Sequence, residues 1–152
     1  MMTLLKFIPP LQLRRLKLAL AAILLAAFGL PASGMAADSA VILQYHRFGE
    51  SDMSPTNVTV EQFEAHLEYL QSGGYTVLPV PHIIAALSAG QPLPDKTVGI
   101  TIDDAVKSVI DEAWPRLRAA GFPFTLFVAT DAVDHHQARI MSWDDIRSLV
   151  NA

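Results

Sequence analysis

The sequence predicts an α/β fold with a parallel sheet and helices on its faces, and three observations support this. Short β-branched apolar runs alternate with stretches of helical periodicity along residues 40–150, the pattern of strand–helix–strand units. One run, Thr97 to Ile102, ends abruptly in adjacent carboxylates, Asp103 and Asp104. Ionised groups are not buried unpaired, so a buried strand must reach a sheet end there. Polar residues also follow two other runs, His46 after Ala40–Tyr45 and Asp131 after Phe124–Ala129. Parallel α/β sheets bind ligands at the carboxyl ends of their strands.

Taken in order, Ala40 to Tyr45 reads as a buried strand, and residues 46–58, with Gly49, Ser51, Pro55 and Asn57, as a loop. Thr59 precedes a helix in which Phe63, Leu67 and Leu70 recur at helical spacing, closed by Gly73-Gly74. Tyr75 to Leu78 is a short strand. Val80 to Ala89 is a helix with Pro81 near its start and Gly90 at its end. Gln91 to Lys96, with two prolines, reads as a surface turn, and Thr97 to Ile102 as the carboxylate-bearing strand. Lys107 to Ala120 is a helix with Val109, Ile110, Ala113 and Leu117 inward, bent or restarted at Pro115 and stopped by Gly121. Phe124 to Ala129 is the next strand, followed by a loop with His135 and His136. Ser142 then caps a helix from Trp143 to Val150.

The first 37 residues have the layout of a secretory signal peptide. Lys6, Arg14, Arg15 and Lys17 precede an uncharged apolar run, Leu18–Leu30, and small residues allow cleavage after Ala36 or Ala37. At 13 residues the run falls short of the roughly 20 that span a bilayer. Export to the periplasm or beyond is therefore expected, with membrane attachment only where the leader stays uncleaved. Residues 38–152 form the expected globular domain. All 15 acidic residues lie after Ala37 with only seven of the 11 basic ones, a net formal charge of −8 for that part. Such a balance, with no basic patch, excludes nucleic acid as a partner. The chain has no cysteine, which removes disulfides, thiolate metal ligands and a thiol nucleophile.

Paired carboxylates at a strand end suit metal-assisted hydrolysis, one holding a divalent ion and the other taking a proton from water. The plainer alternative is that Asp104 caps the following helix. Mg²⁺-dependent phosphoryl chemistry also uses such pairs, but no glycine-rich phosphate loop follows the strand and the leader directs the chain away from cytoplasmic phosphodonors. His135 and His136 are adjacent, a spacing that cannot chelate one ion from a helix face, while His66 and His82 read as structural. His46, at a strand end, could point into a pocket.

Five segments together resemble the polysaccharide deacetylases, the metal-dependent carbohydrate esterases with a NodB homology domain. They are Gln44-Tyr45-His46-Arg47, Ser72-Gly73-Gly74-Tyr75, Thr101-Ile102-Asp103-Asp104-Ala105, Gly121-Phe122-Pro123-Phe124-Thr125-Leu126-Phe127-Val128 and Met141-Ser142-Trp143-Asp144. The resemblance implies the N-terminal portion of a distorted (β/α) barrel, with about four strands alternating with helices. It implies Asp103 as general base, Asp104 as ligand of a divalent metal, expected to be Zn²⁺, and His46 as a substrate contact. The activity implied is removal of N-acetyl groups from an N-acetylglucosamine-containing polysaccharide. Ile102 stands where the family usually has Phe, and Val106 where a larger side chain is common. The family's His-x-x-x-His ligand pair is not found by Ala152, so the remaining metal ligands are expected beyond residue 152. Half a barrel would leave an open edge and marginal stability. The alternative function is a non-catalytic glycan-binding relic or truncated gene product, which lost metal binding would distinguish.

Overall fold

A computed structural model describes residues 36–51 and 55–150, which fall within one compact unit. The leader lies outside the described residues except for Ala36–Ala37, which form strand β1. Among the described residues no helix is long and apolar enough to cross a membrane.

The core is organised around β7, Thr97–Ile102, whose six residues are all buried. It is parallel to β2 (Val41–Tyr45) over that strand's full length. Its other side is shared: β5 (Thr76–Val77) pairs with Thr97 and Val98, and β8 (Thr125–Leu126) pairs with Thr101 and Ile102. This division explains why the strand predicted over Phe124–Ala129 shrinks to two residues. Only the carboxyl end of β7 is left for it, and Phe127, which donates its N–H to Ile102 O at 2.8 Å, keeps a half-exposed side chain. The sequence also placed Ala40–Tyr45 in the interior. Instead, β2 is an edge strand among the described residues, with Val41 59 % and Ile42 44 % exposed.

Helix α1, Val60–Ser72, follows its sequence signals closely. Thr59 Oγ1 accepts from Gln62 N at 3.2 Å and Gln62 Oε1 accepts from Thr59 N at 3.0 Å, a reciprocal cap. Phe63, Leu67 and Leu70 are buried against Val98, Ile100 and Ile102. Burial of each large apolar side chain contributes roughly 1.5–3 kcal/mol. Phe63 also meets Phe48 edge-on at 4.7 Å between ring centres. That contact anchors an excursion read from sequence as loop, where β3 (Arg47–Phe48) and β4 (Asn57–Val58) pair in parallel. The expected surface turn at Gln91–Lys96 likewise holds a short strand, β6 (Leu93–Pro94), antiparallel to β1, with Leu93 buried.

The predicted helix over Lys107–Ala120 forms without a break, with an irregular turn just before Pro115. A π-helical turn spans Val109–Ala113, and the Trp114 N–H reaches back five residues to Val109 O. Helix α3, Trp114–Ala120, continues from that turn with the proline at its start. Val109, Ala113 and Leu117 are fully buried across the join.

The opposite face of the sheet is closed by α2, Val80–Ser88, packed against Gly99. A Cβ at Gly99 would lie 2.6 Å from Ile42 Cδ1 and 2.9 Å from Val80 Cγ2. Val80 is stiff at χ1 and cannot yield easily. Gly99→Ala is expected to lower stability by about 1–3 kcal/mol through overpacking, read as a lower urea midpoint with unchanged slope.

Candidate active site

Asp103 is held at the carboxyl end of β7 by main-chain bonds. Its N–H donates to Tyr45 O at 2.9 Å, extending the ladder with β2 one residue past the strand. Side chains alternate along strands, so Gln44 and His46 share a face with Thr101 and Asp103. Gln44 Nε2 donates to Asp103 Oδ2 at 2.5 Å, and His46 Nε2 lies 3.6 Å from the same oxygen. The two side chains of the His46–Asp103 pair are about one-quarter exposed, 27 % and 24 %, so water can reach the cluster. Sequence reasoning placed Asp103 and His46 at this end. It missed Gln44 as a partner of the carboxylate because 59 residues separate the two and only strand register brings them together.

Asp104 follows as an exposed residue with φ +69°, and Ala105, fully buried, has φ +55°. Two successive left-handed residues that are not glycine cost roughly 1–2 kcal/mol each. The conformation also excludes the capping alternative. An N-cap residue is extended, and the helical run begins further on, at Lys107. Among the described residues no hydrogen bond or ion pair engages the Asp104 carboxylate. The turn is fixed from outside: Met141 N donates to Ala105 O at 2.9 Å, Lys107 N to Arg139 O at 2.6 Å, and Val106 bridges Ile140. Val106 is itself buried and forms core here.

Asp131 does not join the cluster. It lies in the short helix α4, Thr130–Asp134, with its carboxylate 86 % exposed and 3.3 Å from His135 Nδ1. His66 is on exposed α1 surface with Nδ1 3.1 Å from the Tyr45 hydroxyl. So two of the three polar strand ends converge. Among the described residues no three His, Asp or Glu side chains come together to hold an ion. Zinc sites take about three protein ligands, so the described residues alone do not make up a metal site.

Beyond the turn, α5 (Trp143–Val150) is capped as predicted by Ser142. Ser142 Oγ accepts from Asp145 N at 3.1 Å, and Asp145 Oδ2 accepts from Ser142 N and from Lys107 Nζ, each at 2.9 Å. The Ser142 N–H and then Lys107 hold the Asp145 carboxyl below the usual aspartate range. A depressed folded pKa stabilises above the unfolded value and is lost as pH falls through the folded one. Asp145→Ala is therefore expected to cost about 1 kcal/mol at neutral pH. The gap to wild type closes in melts run below about pH 4.

Residues 90–152 match the family model described as Polysaccharide deacetylase. YxkH of Bacillus subtilis (strain 168), whose name assigns it to the polysaccharide deacetylases, is 30 % identical over 94 residues, covering 62 % of this chain and 33 % of that protein. The solved structure of IcaB from Ammonifex degensii superposes with a TM-score of 0.66 at 30 % identity, over 76 % of this chain and 49 % of that one. Over these stretches the chain is similar to polysaccharide deacetylases. The Streptococcus pyogenes deacetylase PplD, solved with acetate, shares the fold at 22 % identity and TM-score 0.65, over 78 % of this chain and 54 % of that one. The chain thus spans a third of YxkH and about half of the two solved structures.

Proposed function

We propose that this chain carries the proton-accepting strand of an N-deacetylase acting on a polysaccharide that contains N-acetylglucosamine. The observation that carries the reading is the Asp103 carboxylate at the end of the central strand. Gln44 and His46 both approach Oδ2, which leaves Oδ1 to accept a proton from the water that attacks the amide carbon. The acetyl C–N bond then breaks, giving acetate and a free amine on the sugar. His46, at the rim of the cluster, serves as a substrate contact. Asp104 serves as one ligand of a divalent metal, zinc by family resemblance. The parallel strands and their helices form the N-terminal portion of a (β/α) barrel in this reading. The chain is exported, its leader removed after Ala36 or Ala37, which N-terminal sequencing of the exported product checks.

A chimera tests the function. Residues 36–152 are fused to the complementary portion of the Ammonifex degensii IcaB and assayed on N-acetylglucosamine oligomers with added zinc. Acetate release that a chelator stops supports the proposal. Oligomer binding without release, in a chimera that melts cooperatively, favours the glycan-binding reading instead.

A further inference from the structure

We infer that Glu50 is a positioning residue that keeps the Asp104–Ala105 turn in its left-handed form by clamping the segments on either side of it. Its carboxylate is largely buried, 14 % exposed, yet it lies in a stretch with no periodic signal in sequence. Oε1 accepts from Ser108 Oγ at 3.0 Å, just after the turn. Oε2 accepts from Arg139 Nη1 at 3.3 Å and from Arg47 Nη1 at 3.1 Å; both arginines have further interactions. The Glu50 main chain is itself fixed, since its N–H donates to Asn57 Oδ1 at 3.1 Å and its carbonyl accepts from Asn57 Nδ2 at 3.0 Å. Ser108 Oγ also accepts from Phe48 N at 3.2 Å, so the second clamped segment is tied to the β3 strand.

The geometry closes a circuit around the turn. Arg139, gripped through its guanidinium, presents its carbonyl to Lys107 N, and two residues on Met141 N binds Ala105 O. Ser108, gripped through its hydroxyl, is the residue after Lys107. Neither Asp104 nor Ala105 has glycine's freedom at positive φ, so the strained form persists only while its surroundings over-determine it. Glu50 supplies that constraint from a distance, without touching either residue.

A double-mutant cycle on the full chain tests this, with amide hydrogen exchange as the readout. Glu50→Ala is expected to speed exchange at Met141 and Lys107 by about tenfold while Ile100, in the core, is unchanged. Ala105→Gly enters the left-handed region without cost, so in that background the same substitution should speed exchange by no more than about threefold. Equal factors in both backgrounds, no change at Met141, or a change only in step with Ile100 overturns the inference. Should Glu50→Ala not fold, Glu50→Gln, uncharged and of the same size, is read by the same criteria. The readout needs neither metal nor substrate, so it can fail while the deacetylase reading stands, and the reverse.

Discussion

Asp103→Asn in the chimera should lower acetate release by about 10²–10⁴-fold, the usual worth of a positioned general base. The substitution preserves shape, and an Asn oxygen can still accept from Gln44 Nε2, which now sits 2.5 Å from Asp103 Oδ2. What is lost is the capacity to take a proton. The expected signature is a fall in kcat with KM and melting temperature little changed, measured by enzymatic acetate detection over a substrate series. A comparable fall in stability would mean that Asp103 is there to hold the strand end together, since its partners Gln44 and His46 both lie on β2 or directly after it.

The largest stability effect is expected at Ile100. Its side chain is fully buried in the middle of β7 and belongs to the cluster formed with Leu67, Leu70, Val109 and Leu117. Ile100→Ala should cost about 2–5 kcal/mol, the transfer term plus a cavity term, because β2 pairs with β7 at this position and buried helix side chains surround it, which limits collapse. With domains of this size stable by only about 5–15 kcal/mol, that is a large share of the total. The measurement is a urea titration followed by circular dichroism. A cost below about 1 kcal/mol would mean that the sheet is far more plastic than close packing allows.

Much of this architecture was legible from the residues alone, for identifiable physical reasons. Helix α1 announced itself because apolar periodicity, Thr59 before it and a glycine stop all agree over Thr59–Gly74. Strand β7 did so because its run is β-branched and ends in charge. The two-residue strands β3, β4 and β6 left no trace, since so short a segment has no alternation to read. The exposure of β2 was hidden because an apolar run looks the same at an edge as in the middle of a sheet. At the site, the composition of the Asp-Asp pair pointed to chemistry, but only backbone geometry could dismiss the capping alternative, through the positive φ of Asp104. Gln44 and Glu50 act across 59 and 58 residues to Asp103 and Ser108. Contacts of that range follow from register and packing, and local sequence carries no sign of them.

The proposed chemistry divides the labour between two neighbouring carboxylates, Asp103 accepting the proton and Asp104 ligating the metal. Zinc titration of the chimera and its two single variants tests it most directly. Asp104→Asn is expected to weaken zinc binding by about 10–100-fold, whereas Asp103→Asn should bind zinc as wild type does while releasing acetate about 10²–10⁴-fold more slowly. Undiminished zinc affinity in Asp104→Asn, or acetate release in Asp103→Asn within about tenfold of wild type, would overturn it.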